Sequence, residues 1–187
     1  MADMRVRTAM RRAARHYFLP AEVRDEAALD APLPIGYDAT CSQPSTVATM
    51  LTLLDVGPGH TVLDVGCGSG WTTALLQELV APGGAVRGVE IVPELVAQAR
   101  ANLEAAGYDG DAVEVAAPGT LGLPEHAPFD RILVSAEAAS LPGELVDQLA
   151  EPGVMVIPVA GTLEVVHRER AGVHRRSVGA YRFVPLQ

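Results

Sequence analysis

The feature that most constrains the fold is a glycine-rich turn between an apolar run and a helical pattern. Residues 61–65 read TVLDV, and the following segment GCGSGW carries three glycines within five residues. Glycine lets the backbone turn sharply and approach a ligand without clashes from a side chain. A short buried strand, a glycine turn and a helix in that order are typical of the ligand-binding edge of an α/β sheet.

The rest of the chain continues this alternation of strands and helices. Helices are predicted over 4–15, 71–80 and 142–150. Two further helices are predicted to begin at prolines, one at Pro44 and one that runs from Pro93 to Gly107. Strands are predicted at 61–66, 85–91, 111–117 and 130–136, and three more at 153–159, 162–170 and 175–184. Alternation of this kind predicts a Rossmann-like α/β sandwich, with a mostly parallel sheet and antiparallel carboxyl-terminal strands.

The length of 187 residues fits a single domain over 1–187. Residues 1–43 form its amino-terminal part, in which an irregular stretch over 16–43 follows the basic helix. Such a stretch is too long for a simple connector, and we expect it to act as a lid or binding segment. Residues 44–187 are predicted to form the Rossmann-like core.

Charge and composition exclude several classes of function. The net charge is −9, and the 14 cations are all arginines that cluster towards the two ends, so the middle of the chain is strongly acidic. An acidic body repels a phosphate backbone, which argues against a nucleic-acid partner. No apolar run is long enough to span a bilayer, and no Cys or His spacing fits a metal site. Two cysteines do not make a disulfide framework, so a reducing, cytoplasmic compartment is expected.

The glycine turn itself favours a nucleoside ligand. Glu90 ends the next predicted strand, twenty residues after Gly70, where a carboxylate accepts hydrogen bonds from ribose hydroxyls. A dinucleotide site needs GxGxxG, but here the third glycine comes one position early and Trp71 fills the helix-packing position. Asp64 supplies an acid that suits the sulfonium and amino-acid end of S-adenosyl-L-methionine. That cofactor is therefore favoured, with a dinucleotide or a purely structural turn as the alternatives.

Four blocks of the sequence resemble the protein-L-isoaspartate O-methyltransferase family. They are LPIGYDATCSQP (33–44), VLDVGCGSGW (62–71), APFDRILVSA (127–136) with PGVMVIPV (152–159), and RFVPL (182–186). The glycine block is common to many methyltransferases, whereas the first and last blocks are more specific. Together they cover nearly the whole chain in the family's order.

This resemblance implies a class I fold and methyl transfer from S-adenosyl-L-methionine to the carboxylate of isoaspartyl residues in damaged proteins or peptides. The methyl ester then closes to a succinimide, which hydrolyses partly to aspartate. The family's active-site serine falls on Ser42, with substrate-side neighbours at Thr40, Cys41 and Gln43. The predicted cofactor-binding residues are Asp64, Gly66, Cys67, Gly68, Ser69, Gly70, Glu90, Pro118 and Gly119. Because Ser42 precedes a helix that begins with proline, it is also a candidate helix cap.

The sequence departs from the family's pattern at three places. Ala117-Pro118-Gly119 replaces a Gly-Asp-Gly segment that contacts adenine, Asp38 replaces a glycine, and Glu137 stands in a run of small residues. Asp38 and Glu137 would repel a carboxylate substrate if both faced the cleft. These departures leave two alternatives to isoaspartyl repair. One is a relative that methylates an aspartate of a dedicated precursor peptide to form aspartimide, and the other is a cofactor-binding module with little turnover.

Overall fold

The computed structural model describes residues 3–186. The strands are β1 Leu33–Gly36, β2 Ala39–Cys41, β3 Thr61–Val65, β4 Ala85–Glu90, β5 Val113–Val115, β6 Phe129–Val134, β7 Leu149–Val159, β8 Thr162–Glu169 and β9 Gly172–Ala180. The helices are α1 Met4–Arg12, α2 Pro44–Leu54, α3 Trp71–Val80, α4 Pro93–Ala105 and α5 Gly143–Asp147. Four short 3₁₀ helices lie at Arg15–Phe18, Ala21–Glu26, Gly110–Ala112 and Pro124–His126.

Seven of these strands form one sheet in the order β5-β4-β3-β6-β7-β8-β9. The pairs from β5 to β7 are parallel, and β7–β8 and β8–β9 are antiparallel. The predicted α/β architecture, with antiparallel strands at the carboxyl-terminal edge, is confirmed.

Successive side chains of the central strands point to opposite faces of the sheet, where they belong to two apolar clusters. Val62 and Leu133 pack into the cluster that contains α1 to α4, whereas Leu63 and Ile132 pack into the cluster beneath α5. Because successive residues of a strand point to opposite faces, both faces of the sheet are covered. This double burial explains why the central strands read as unbroken apolar runs.

Several predicted boundaries differ from the structure, and three of the differences concern β5, β7 and β9. The helix predicted to reach Ala150 ends at Asp147, because β7 already begins at Leu149 beside Phe129 of β6. The strand predicted over 111–117 pairs with β4 only at Val113–Val115, as expected for an edge strand. The strand predicted over 175–184 runs instead from Gly172 to Ala180, after which the chain leaves the sheet.

The amino-terminal part is more ordered than its sequence indicates. Helix α1 ends at Arg12, three residues short of the prediction, and the stretch over 16–43 contains 3₁₀ turns and the hairpin β1–β2. No helix within residues 3–186 combines the length and the apolar character that crossing a membrane requires.

Candidate active site

A pocket opens at the carboxyl ends of the central strands, where β3 lies between β4 and β6. Open α/β sheets bind ligands at this kind of position, where the connections leave the sheet in opposite directions. We call residues 66–69 and 90–92 the glycine wall, and residues 37–42 the hairpin wall. The rest of the lining consists of Val65, Trp71, Thr72, Val89, Leu95, Ala116, 120–122, 135–136 and 184–186.

The glycine wall is a backbone surface fixed to the end of β4. Gly66 and Gly68 have φ angles of +73° and +53°, which side chains disfavour. The N–H groups of Gly66 and Cys67 both donate to the carbonyl of Val89, at 2.8 and 3.2 Å. A Cβ atom on Gly68 would lie 3.1 Å from Cδ1 of Ile35. The turn therefore depends on glycine and leaves its backbone open to a ligand.

Glu90 is the fixed charge of this wall. Its Oε1 accepts hydrogen bonds from the N–H groups of Ile91 and Val92 at 2.7 and 3.1 Å. Its Oε2 accepts from the N–H of Gly68 at 3.1 Å, and only 8% of the residue is exposed. A carboxylate offers about four acceptor positions, so these three bonds leave room for a donor in the pocket.

Asp64, predicted as a cofactor-binding residue, does not line the pocket. It is fully buried on the side of the sheet that faces α3. Its Oδ2 accepts from the hydroxyls of Thr72 and Thr73 at 2.7 and 2.8 Å, while Oδ1 is buried without a partner. Burial raises the pKa of Asp64 to about 6, although the two hydroxyls act in the opposite direction. Asp64 therefore reaches the pocket only through Thr72.

Four other predicted residues also lie outside the lining. Gly70 directly precedes α3, has a φ of +86° and packs against Ala99. The fold itself therefore requires glycine at this position, whether or not a ligand binds. The side chain of Gln43 turns to the surface and donates to Asp30 Oδ2 at 3.1 Å.

Pro118 and Gly119 are exposed in a turn closed by a bond from Thr120 N–H to the Ala117 carbonyl. Ala116 and Thr120, on either side of that turn, line the pocket instead.

The hairpin wall brings the predicted substrate-side residues together. Thr40, Cys41 and Ser42 all line the pocket, as do Cys67 and Ser69 of the facing glycine wall. Ser42 lies between the end of β2 and Pro44, the first residue of α2. It is not the helix cap, because Gln43 occupies that position. Among residues 3–186 the hydrogen bond at Ser42 is to its carbonyl, not to its hydroxyl, so the hydroxyl is free to donate into the pocket that it lines.

Only one of the two additional acids faces the cleft. Asp38 lines the pocket at the tip of the hairpin, where Tyr37 and Asp38 have φ angles of +54° and +56°. Glu137 points away, and its Oε1 accepts from the N–H of Gly161 at 3.1 Å. The small-residue run after β6 therefore does not bring a second charge to the substrate side.

Many lining residues were not among the predicted site residues, and two groups of them come after β6 and from the carboxyl-terminal segment. Ser135 and Ala136 follow β6, and the neighbouring position of β6 and β3 in a parallel sheet would have indicated them. Residues 184–186 come from the carboxyl-terminal segment. The N–H of Glu137 donates to the carbonyl of Val184 at 2.7 Å, and the N–H of Leu186 donates back at 2.8 Å. No local sequence signal indicates this pairing.

The lining contains acids but no cationic side chain among the described residues. Asp38 and Glu90 are its charged groups, and the remainder is apolar or neutral and polar. Burial raises the pKa of the Cys41 thiol and raises that of Cys67 further. Both thiols therefore stay protonated at neutral pH and are poor nucleophiles. The pocket suits a ligand that carries positive charge beside its apolar groups.

A group of possible metal ligands lies away from this pocket. Glu114, Glu125 and His126 bring their ligand atoms within 4.8 Å of one another near β5. Arg87 lies 3.9 Å from Oε1 of Glu114 and reduces the attraction of this group for a cation. None of these residues lines the pocket.

Comparison with known proteins relates this arrangement to one family. The family model described as Protein-L-isoaspartate(D-aspartate) O-methyltransferase matches residues 1–187. A protein-L-isoaspartate O-methyltransferase of Methanococcoides burtonii is 47% identical, over 98% of this chain and 92% of its own length. That of Aeropyrum pernix is 50% identical, over 100% of this chain and 74% of its own length.

Solved structures show the same fold. A protein-L-isoaspartate O-methyltransferase from Plasmodium falciparum, in complex with S-adenosyl-L-homocysteine, superposes with a TM-score of 0.82. The two sequences are 26% identical, over 100% of this chain and 92% of that one. Another structure of that name superposes with a TM-score of 0.88 at 23% identity, and this chain spans 62% of its length. The chain therefore belongs to the protein-L-isoaspartate(D-aspartate) O-methyltransferase family.

Proposed function

We propose that this protein transfers the methyl group of S-adenosyl-L-methionine to the carboxylate of L-isoaspartyl residues in peptides and proteins. One observation carries the proposal: the free hydroxyl of Ser42 and the glycine wall anchored by Glu90 line the same pocket. The matched relatives are named for this activity. We further propose that residues 1–187 act as one domain, because the amino-terminal part and the core supply opposite walls of that pocket.

The residues present fit the cofactor. The open backbone of Gly66 and Gly68 admits a bulky ligand, and Glu90 can accept hydrogen bonds from ribose hydroxyls. Ile91 is 46% exposed beside Glu90, so it offers an apolar surface to an adenine ring. A lining with two acids and no cation among the described residues favours a sulfonium. Asp64, Gly70, Pro118 and Gly119 support this site through the fold, without lining it.

Methyl transfer to a carboxylate requires no proton transfer by the protein. The cofactor, when bound, supplies an electrophilic methyl group. A carboxylate is already ionised at neutral pH, since its ordinary pKa is near ~3.9. A carboxylate oxygen attacks the methyl carbon while the bond from carbon to sulfur breaks, and the electron pair stays on sulfur. No proton moves, so the protein's task is to bring the two groups into line.

Ser42 is the residue that we assign to this alignment. Its hydroxyl can donate to one oxygen of the substrate carboxylate and leave the other oxygen free to attack. Thr40 and Cys41 shape the adjacent wall, and Gln43 holds the beginning of α2 to Asp30. Such a bond to a charged group is worth about 1.5–3 kcal/mol, or roughly ten- to a hundred-fold in rate.

The test uses two synthetic peptides that differ only in one Asp or isoAsp residue, with cofactor labelled in the methyl group. We expect base-labile label on the isoaspartyl peptide alone. Ser42→Ala should reduce kcat about ten- to a hundred-fold while cofactor binding by calorimetry stays unchanged. Ser45→Ala is the matched control, because Ser45 lies exposed on α2 outside the pocket.

Other outcomes would overturn the proposal in different ways. Label on the Asp peptide would identify the relative that forms aspartimide from a dedicated precursor. Label on neither peptide, with the cofactor still bound, would exclude isoaspartyl repair and direct the search to a dedicated peptide. Failure to bind the cofactor would remove the enzymatic proposal altogether.

We also propose a partner and a cellular compartment for the protein. The partner that we propose is a peptide or protein bearing isoaspartate, rather than a nucleic acid or a membrane. Both cysteines are free and buried. A reducing, cytoplasmic location therefore remains our proposal.

A further inference from the structure

We infer that Arg15 is a positioning residue for Ser42, an inference that rests on the proposed function. Arg15 belongs to the 3₁₀ turn Arg15–Phe18 and is only 6% exposed. Arginine is almost never buried to this extent unless its charge is paired. Within residues 3–186 its guanidinium has no carboxylate at ion-pair distance. The guanidinium is compensated by backbone carbonyls instead.

Those carbonyls belong to two separate segments. Nη2 donates to the carbonyls of Cys41 and Ser42 at 2.8 and 3.0 Å. The same nitrogen lies 2.8 Å from the Ala31 carbonyl, so its two hydrogens are shared among three oxygens, and Nη1 donates to Leu29 at 3.0 Å. The guanidinium therefore ties the end of β2 to the chain that precedes the hairpin.

Ser42 needs such a tie because regular structure does not hold it. It lies after the last residue of β2 and before the first turn of α2. A bond to its carbonyl fixes the peptide plane on its carboxyl side, and the bond to Cys41 fixes the plane on its amino side. With both planes fixed, the direction of the Cα–Cβ bond of Ser42 follows.

The charge of Arg15 also lies directly behind the pocket wall. Its Cζ atom is 5.4 Å from the centroid of the Trp71 ring, and Trp71 lines the pocket. The indole N–H of Trp71 donates in turn to the carbonyl of Ala13, two residues before Arg15. The lining has no cationic side chain among the described residues, so this buried charge can favour a substrate carboxylate placed against Ser42.

A lysine at position 15 would keep the charge but not the bonds. Arginine presents five N–H donors in a planar fork, whereas lysine presents three donors at one point. The ammonium group cannot reach both segments in the same geometry. Small misplacements of a reacting group reduce rates strongly, so loss of this geometry should appear in kcat.

The experiment is a double-mutant cycle on the full chain, with an isoaspartyl peptide as substrate. We expect Arg15→Lys to reduce kcat roughly ten-fold in the native background, and less than about two-fold when Ser42→Ala is already present. Cofactor affinity measured by calorimetry should stay within about two-fold in all variants. Arg24→Lys is the control, because Arg24 donates to the Leu19 carbonyl in the same segment but does not contact the hairpin wall.

Each other result would overturn this role. A folded Arg15→Lys protein with native kcat would exclude it. An equal loss in both backgrounds would show that Arg15 acts on turnover independently of Ser42, and the positioning role would then be wrong. If Arg15→Lys does not fold, Arg15→Ala with added guanidinium ion replaces it, and recovery of kcat only where Ser42 is present is then expected. A native protein that labels no isoaspartyl peptide would instead remove the proposed function, and this inference with it.

Discussion

The two walls of the pocket are built in different ways. The glycine wall follows directly from β3 and β4, and its shape depends on backbone N–H groups that donate to the Val89 carbonyl and to the Glu90 carboxylate. The hairpin wall lies outside the main sheet. The buried Arg15 joins its carboxyl-terminal end to the preceding chain, because its guanidinium donates to carbonyls of both segments. A parallel sheet therefore fixes the wall that we propose for the cofactor with local structure, whereas the wall that we propose for the substrate depends on contacts between residues distant in sequence. Substitutions in the glycine wall should affect binding of the cofactor, whereas substitutions in the hairpin wall should affect turnover or selectivity.

The largest effect is expected at Glu90. Glu90→Ala removes the acceptor for the ribose and leaves three backbone N–H groups without their partner. Since a bond to a charged group is worth about 1.5–3 kcal/mol, the dissociation constant for the cofactor should rise roughly ten- to a hundred-fold. Isothermal titration calorimetry measures this change.

Glu94→Ala serves as the control, because Glu94 is exposed on α4 and does not line the pocket. A Glu90→Ala protein that binds within a few-fold of the native affinity would contradict the assignment of the glycine wall to the cofactor.

The second effect is a pH dependence of stability at the buried acid behind this wall. Burial raises the pKa of Asp64 from the ordinary 3.8 to about 6. Between these values the folded state holds a proton that the unfolded state has lost, so stability falls as pH rises through this range and is constant above it. A shift of about two pKa units corresponds to about 3 kcal/mol.

Asp64→Asn removes this titration. Urea unfolding at about pH 4 and about pH 7 should therefore show the native protein losing about 2.5 kcal/mol relative to the variant as pH rises, because part of the unfolded-state titration lies below pH 4. Taking the difference between the two proteins cancels the titration of the other carboxyl groups. A difference that does not change with pH would mean that Asp64 has the same pKa in both states.

The two walls also differ in how far sequence alone predicts them. The strand, glycine turn and Glu90 lie within one local pattern, so their roles could be read from spacing. The same alternation could have placed Asp64 correctly: Leu63 and Val65 face one side of β3, so Asp64 faces the helices on the other.

The hairpin wall gave weaker signals. The role of Ser42 is predicted only by a family resemblance, and its surroundings depend on where distant segments fold. The burial of Arg15 has no counterpart in the local sequence, since its partners are carbonyls that any residue possesses. The pairing of Glu137 with residues 184–186 is likewise a backbone contact, which side-chain patterns do not encode.

A matched pair of glycine substitutions separates binding from folding within the glycine wall. Gly68→Ala places a methyl group 3.1 Å from Ile35 at the pocket surface, and we expect cofactor affinity to fall roughly ten-fold. Gly70→Ala places one 3.3 Å from Ala99, outside the lining, at a φ of +86°. It should reduce the free energy of unfolding by about 1–2 kcal/mol and leave affinity nearly unchanged.

Calorimetry and urea unfolding on both variants test this pair. Equal losses of affinity would show that the two glycines act as one unit, and the distinction between the lining and its support would then be wrong.

The smallest effect is expected at Asp38, the acid on the rim of the hairpin wall. Asp38 lines the pocket and is exposed, and within residues 3–186 it has no cation partner at ion-pair distance. It should disfavour peptides that carry a further acid next to isoaspartate and favour those that carry a lysine there. Because exposed charges are screened by water and salt, we expect a preference in kcat/KM of roughly two- to five-fold.

Asp38→Asn should remove this preference without changing cofactor affinity, since asparagine also tolerates the positive φ at this position. The measurement compares kcat/KM for isoaspartyl peptides with a neighbouring lysine or glutamate, at low and high salt. Asp25→Asn is the control, because Asp25 is exposed in the amino-terminal part and lies outside the lining. A preference that survives both Asp38→Asn and high salt would arise from shape rather than charge, and the rim would then select its peptides by packing against Tyr37.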